Sequence, residues 1–215
     1  MSKKFGITLS GVLVTSIICY LAYASKGFNE TLNEYMFGYL DNFQKYLFLI
    51  TIFIVPFFIF LQRQINESLI QIRLKSNTFY YILKNGVITS SILSVFIYFT
   101  FLFWGIVFRL ETEFSISIVN LIFKLFLFIF ACYIFSYTVY FITNKIVFGP
   151  LSVLILNFVF LMIIFAVNFF LMDNLMSEST MMIIFYIYLF IIIFGGLIYL
   201  YKGAKTKECL SSKNS

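Results

Sequence analysis

Long runs of apolar residues, separated by short polar stretches, dominate the chain. Six runs reach or approach the roughly 20 residues that a helix needs to cross a bilayer. They cover about residues 5–24, 46–61, 87–108, 116–142, 151–172 and 180–201. The runs are continuous rather than alternating, and lipid offers no partner to an unpaired backbone group, so they predict helices. The pattern therefore predicts an all-α, polytopic membrane protein with a single transmembrane domain over residues 1–215.

Composition supports this prediction. The chain is 62% hydrophobic and 11% charged, with a mean hydropathy of +1.00, whereas a soluble domain carries roughly 25% charged residues. The first run has a competing interpretation, because Lys3 and Lys4 precede it and Ala22 and Ala24 form an A-x-A pattern near its end. These are features of a signal peptide. The length of the run favours a retained span.

The positive charges predict the orientation of the spans. With the N-terminus inside, two cations fall in the outer loops, Lys26 and Arg109. Eleven fall on the cytoplasmic side: Lys3, Lys4, Arg63, Arg73, Lys75, Lys84, Lys145, Lys202, Lys205, Lys207 and Lys213. Cytoplasmic loops are enriched in Lys and Arg. Both termini, including the tail 202–215, are therefore expected in the cytoplasm, and topology explains the net charge of +6 without a nucleic-acid partner.

The polar stretch "QINESLIQIRLKSN", residues 64–77, interrupts the apolar pattern between the second and third spans. At helical spacing, Ile65, Leu69 and Ile72 share one side and the polar residues form a separate stripe. The stretch therefore predicts a short amphipathic helix along the inner membrane surface. A solvated connector with no partner explains the same periodicity.

The residues give little support for catalysis. The chain has no His, which argues against a histidine-dependent hydrolase and makes a zinc site improbable. It has no nucleotide-binding P-loop, and no span contains two carboxylates for acid–base chemistry. We therefore expect neither an enzyme nor a bound cofactor or metal.

A few residues within the spans are candidates for a pathway or for packing. Lys124 is a charge inside an apolar run, and intramembrane charges are functional candidates. Its position near the outer end favours snorkelling to the headgroups over contact with a substrate. Pro56 should kink the second span. Gly11 and Thr15 have the spacing that lets helices approach closely, either inside the bundle or at a subunit interface.

The layout resembles the membrane-spanning permease subunit of a bacterial ATP-binding-cassette exporter. The likeness is carried by six spans, an inside N-terminus and the segment "RQINESLIQIRLKSNTFYYILK", about residues 63–84. The part "IRLKSNTFYYIL" is similar to small permeases of peptide export or self-protection. The resemblance implies transport of a peptide-like or amphipathic substrate across the cell membrane. It also implies two partners, a cytoplasmic ATPase and a second membrane subunit.

In that family the corresponding segment is a coupling helix that docks on the ATPase. The resemblance therefore implies a partner-coupling role for Arg63, Glu67, Leu69, Ile72, Arg73 and Lys75.

Two other functions fit the same topology. One is the substrate-capture subunit of a vitamin importer, which usually has Ala-rich packing faces. This chain has Ala at positions 22, 24, 131, 166 and 204 alone. The other is a stand-alone immunity or accessory protein that acts without transport. Co-purification separates the three, since they predict respectively an ATPase, a scaffold with ATPases, and no partner.

Overall fold

The computed structural model describes residues 50–52, 54–59, 78–107, 116–145, 147–170 and 178–212. Within these ranges every regular element is a helix, which confirms the all-α prediction for this part of the chain. The helices are α1 (Ile50–Ile59, with residue 53 outside the description), α2 (Thr78–Val107), α3 (Ile116–Thr143), α4 (Phe148–Phe170) and α5 (Glu178–Ser212).

Three of the described helices are long and apolar enough to cross a membrane. The stretches are Phe79–Thr100 in α2, Val119–Thr143 in α3 and Ile183–Gly203 in α5. The apolar parts of α1 and α4, Ile50–Ile59 and Phe148–Ile163, are shorter. Helices of this length and composition are those of a membrane-embedded protein.

Helix α3 lies at the centre of the described bundle and packs against α2, α4 and α5. Its middle is buried without a break from Phe128 to Ile134. Apolar residues of the surrounding helices, such as Ile54, Ile97 and Leu189, complete the core around it. Helix α5 is the least buried of the three long apolar helices, and large side chains such as Ile191 and Phe190 cover its outer side.

Asn144 ends α3 at the turn that leads to α4. Asn144 has a φ of 55°, and its N–H donates to the Tyr140 carbonyl at 2.8 Å. A residue in this left-handed conformation commonly ends a helix, and Asn tolerates it better than most. Pro150 lies in the first turn of α4, where its missing N–H breaks no helical hydrogen bond.

Five Ser and Thr side chains within the helices bond to their own helix. Thr100, Thr138 and Thr143 each donate to the carbonyl four residues earlier, at 2.8–2.9 Å. Ser94 and Ser152 donate to the carbonyl three residues earlier, at 2.9 and 2.6 Å. These bonds satisfy each hydroxyl locally, so the residue can lie among apolar neighbours without a partner from another helix.

Candidate functional site

The predicted partner-coupling residues lie outside the described residues. These are Arg63, Glu67, Leu69, Ile72, Arg73 and Lys75, and the small residues Gly11 and Thr15 are also outside. The structure does describe both flanks of the polar stretch, since α1 is described as far as Ile59 and α2 begins at Thr78.

Tyr133, in the middle of α3, contacts both flanks of the polar stretch. Its hydroxyl donates to the Ile82 carbonyl in the second turn of α2, at 3.2 Å, and this bond is buried. Its ring meets the Phe58 ring, near the end of α1, edge-on with centroids 5.7 Å apart. Tyr133 and Phe58 are each 1% exposed. One side chain of the central helix therefore touches the elements that lead into and out of residues 60–77.

Gly86 lets α2 come close to Tyr133. A Cβ at position 86 would lie 2.6 Å from Cε1 and 2.8 Å from Cδ1 of the Tyr133 ring. These distances are too short for carbon atoms, which pack at about 3.5–4.0 Å. The Tyr133 ring cannot easily move aside, because its hydroxyl is bonded to the Ile82 carbonyl, which lies one turn before Gly86 on α2. Glycine at this position is therefore required for the observed packing of α2 on α3.

Helix α5 joins the same end of the bundle. The Phe79 ring in the first turn of α2 meets the Tyr201 ring edge-on, with centroids 5.5 Å apart. A Cβ at Gly203 would lie 3.3 Å from Cδ1 of Phe141, near the end of α3. The start of α2, the end of α3 and the part of α5 around residues 201–203 thus meet at this end of the bundle.

This end of the bundle also carries cations. Lys84 in α2, Lys145 in the α3–α4 turn and Lys202 in α5 are all exposed. The Lys145 ammonium lies 5.0 Å from the centroid of the Phe148 ring, a cation–π arrangement. We call this region, defined by Lys84, Lys145 and Lys202, the lysine end.

A second feature is a group of polar side chains in the middle of the bundle, formed by Thr51, Cys132, Asn157 and Tyr188. Asn157 Nδ2 donates to Thr51 Oγ1 at 2.8 Å and lies 3.7 Å from Cys132 Sγ. The Tyr188 hydroxyl lies 3.5 Å from Asn157 Oδ1 and 3.4 Å from the Leu156 carbonyl oxygen. This polar cluster connects α1, α3, α4 and α5.

The polar cluster is closely packed and has the character of a crosslink rather than a ligand site. Thr51 is 0% exposed and Asn157 is 5% exposed. The Phe160 ring stacks on the Tyr188 ring with centroids 4.1 Å apart. A groove of about 300 Å³ lies elsewhere, between α2 and α3, and is lined by Ser91, Ser94, Val95, Val119, Ile122, Phe123 and Phe126. The cluster itself is therefore suited to holding helices together.

The remaining predicted candidates are separate from both features. Lys124 is half-buried near the start of α3, toward the end opposite the lysine end. Pro56 is exposed on α1, five residues after Thr51 of the polar cluster. In the described part of the chain, no three His, Cys, Asp or Glu residues are grouped so as to hold a metal ion.

Sequence reasoning did not identify Tyr133, Gly86 or Asn157 as functional residues. Asn157 had a usable signal, because it stands alone in the apolar run "LSVLILNFVFLMIIF" and a buried amide in lipid needs a partner. Gly86 and Tyr133 had no such signal in the sequence. Aromatic residues are abundant in this chain, and the contact between Gly86 and Tyr133 depends on how two helices pack.

Comparison of the chain with protein-family models, with curated proteins and with solved structures finds no match in any of the three. The residues and their geometry therefore carry the functional assignment.

Proposed function

We propose that this chain is the membrane-spanning permease subunit of an ATP-binding-cassette transporter. In this proposal it crosses the bacterial plasma membrane six times, with both termini in the cytoplasm. It moves a peptide-like or amphipathic substrate with energy from ATP hydrolysed by a separate cytoplasmic subunit. A second membrane subunit, identical or related, completes the pathway. No catalytic residue is assigned to this chain, because the chemistry belongs to the partner.

The observation that supports this proposal is the contact of Tyr133 with both flanks of the polar stretch. A partner that pushes on residues 60–77 must move the end of α1, the start of α2, or both. Phe58 and Ile82 carry either movement to Tyr133. Tyr133 lies in the most buried of the long apolar helices, so the displacement would reach the middle of the bundle. Closely packed interiors transmit such displacements because they have little free volume.

Because α2 is continuous, a displacement of its first residues can be transmitted along its whole length. The helix runs for 30 residues from Thr78 to Val107 without interruption. At about 1.5 Å per residue, a helix of this length spans more than the hydrocarbon thickness. Gly86 fixes its inner part against α3. If a partner tilts α2 at Thr78, the helix would pivot about the Gly86–Tyr133 contact. The opposite end of α2 would then move as well.

The charges at the lysine end fit the proposed orientation. Lys84, Lys145 and Lys202 are exposed at the end of the bundle where α2 begins, directly after the polar stretch in sequence. Cations near span ends favour the cytoplasmic side. The polar stretch would then face the cytoplasm, where an ATPase can reach it.

Co-purification from native membranes tests the proposal. We expect a cytoplasmic ATPase to purify with the chain in stoichiometric amount. Leu69→Asp should remove the ATPase from the complex, because it puts a charge on the predicted apolar edge that docks. Ser68→Asp is the matched control, since it adds the same charge to the adjacent polar stripe and should retain the ATPase. Purification without any ATPase, or with Leu69→Asp unchanged, would refute the proposal.

A second variant tests the role of the Tyr133 contact. Gly86→Ala should leave the ATPase bound, because position 86 packs against Tyr133 within the bundle and is not part of the stretch 64–75. It should lower substrate-stimulated ATP hydrolysis, since the added methyl group forces α2 and Tyr133 apart. Normal stimulation in this variant would show that the coupling follows another route.

A further inference from the structure

Helix α1 has a weak point in its hydrogen-bond ladder. Pro56 has no N–H, so the carbonyl of Ile52 lacks its usual helical partner. Ile52 is 41% exposed and Pro56 is also exposed, so the missing bond lies on the outer side of the helix. The opposite side is anchored in the core by Ile50, Ile54 and Phe58. A helix with this arrangement bends most easily at the turn between residues 52 and 56.

The two halves of α1 are held by different kinds of contact. Before Pro56, Thr51 accepts a hydrogen bond from Asn157 at 2.8 Å, in a buried position where water cannot replace it. After Pro56, the Phe58 ring rests edge-on against the Tyr133 ring at 5.7 Å. A hydrogen bond is directional and is lost within a fraction of an ångström. An edge-on aromatic contact tolerates a range of offsets and separations.

Asn157 is itself well fixed. Its amide group contacts Cys132 of α3 and Tyr188 of α5, in addition to Thr51. Tyr188 also lies within 3.4 Å of the carbonyl of the preceding residue, Leu156, and stacks on Phe160. Asn157 of α4 is therefore held in place by contacts from α3 and α5. The first half of α1 is attached to these three helices through its hydrogen bond to Asn157.

We propose that α1 is a hinge, with its first half fixed by the Thr51–Asn157 hydrogen bond and its second half, held by aromatic packing alone, able to tilt at Pro56. The swing displaces Phe58 across the face of Tyr133 while the polar cluster stays intact. This inference rests on the proposed function for its purpose, because a swinging second half would pass movement between residues 60–77 and the bundle. The hinge itself is a property of this chain alone.

Distances between spin labels in the purified chain, reconstituted in lipid nanodiscs without any ATPase, test the hinge. One pair joins labels at Ile59→Cys and Lys145→Cys, and the reference pair joins Ile52→Cys and Lys145→Cys. In both, Cys19 and Cys209 are replaced, whereas Cys132 is kept because it is buried and contacts Asn157. We expect a broader distance distribution for the first pair, because only that pair crosses Pro56. Equal widths for the two pairs would overturn the proposal.

Two variants and one control separate the hinge from its anchor. Pro56→Ala restores the helical hydrogen bond, so the 59–145 distribution should narrow to the width of the 52–145 distribution. Thr51→Val removes the anchor at nearly constant volume and should broaden the 52–145 distribution. Thr51→Ser keeps the hydroxyl and should leave that distribution unchanged. A Pro56→Ala chain with the original width, or a Thr51→Val chain with no broadening, would refute the mechanism.

The outcome is independent of the proposed function. If no ATPase co-purifies but the label distances behave as expected, the hinge stands and the transporter assignment fails. If the ATPase co-purifies and α1 is rigid, the assignment stands and the hinge fails.

Discussion

Two neighbouring glycines in α5 provide a sharp test of the helix packing. A Cβ at Gly196 would collide with Cγ2 of Ile134 and lie 3.2 Å from Oγ1 of Thr138, both on α3. A Cβ at Gly195 would meet nothing within 4 Å. The two residues have nearly the same place in the helix, so they differ mainly in what faces them.

The expected effects follow from two terms. Replacing Gly by Ala in the interior of a helix stabilises it by about 1 kcal/mol. Adding a methyl group to a closely packed contact costs about 1–3 kcal/mol. Ile134 is β-branched and fully buried, with 0% exposure, so its Cγ2 has little room to turn away. Gly195→Ala should therefore raise stability by up to about 1 kcal/mol, whereas Gly196→Ala should lower it by up to about 2 kcal/mol, the net of both terms.

The difference between the two variants is the most informative quantity. The helix-propensity term is common to both and cancels, which leaves the steric cost of about 1–3 kcal/mol. Reversible unfolding of each purified variant in mixed detergent micelles, followed by circular dichroism, gives this difference. Equal stabilities, or a more stable Gly196→Ala chain, would show that α5 does not pack on α3 through this face.

Three further predictions concern the polar contacts and the topology. Asn157→Leu should lower the free energy of unfolding by about 1 kcal/mol, the usual scale for a hydrogen bond between membrane helices, whereas the exposed Asn120→Leu should leave it unchanged in the same micelle titration. Tyr133→Phe should cost about 0.5–1.5 kcal/mol through loss of the bond to α2, and hydrogen exchange should increase in the first turns of that helix; unchanged exchange would contradict the contact. In intact cells, an impermeant thiol reagent should label Ser177→Cys and spare Cys209, and the reverse pattern would overturn the predicted orientation.

The sequence predicted the helical class because the apolar runs are long and the alternatives are few in lipid. It located the ends of the helices less well, because polar residues can lie inside a helix. Helix α2 already includes Lys84 and Asn85, which precede the apolar run that begins at Val87. The Asn85 side chain donates to the Tyr81 carbonyl at 3.0 Å, so a polar residue is accommodated without ending the helix. Hydropathy marks the part that suits lipid, whereas backbone hydrogen bonds set the ends of the helix.

The contacts of the candidate site were beyond the reach of the sequence for a different reason. The composition is 22% aromatic, so every span offers several rings and no pattern distinguishes Tyr133 from its neighbours. Its role depends on the register between α2 and α3, which places Gly86 beneath the ring. Register is a property of two helices together, and a single sequence records each helix separately.

The close fit of Gly86 beneath Tyr133 limits how this protein can change over generations. A side chain at position 86 occupies the volume that the ring now fills, so neither position can grow while the other keeps its size. A larger residue at position 86 is harmful until position 133 becomes smaller. A smaller residue at 133 alone leaves a cavity and removes the Tyr133 hydrogen bond to the Ile82 carbonyl. Homologous sequences should therefore show an inverse relation in volume at these two sites, and a double substitution such as Gly86→Ala with Tyr133→Leu should recover part of the stability that each single change loses.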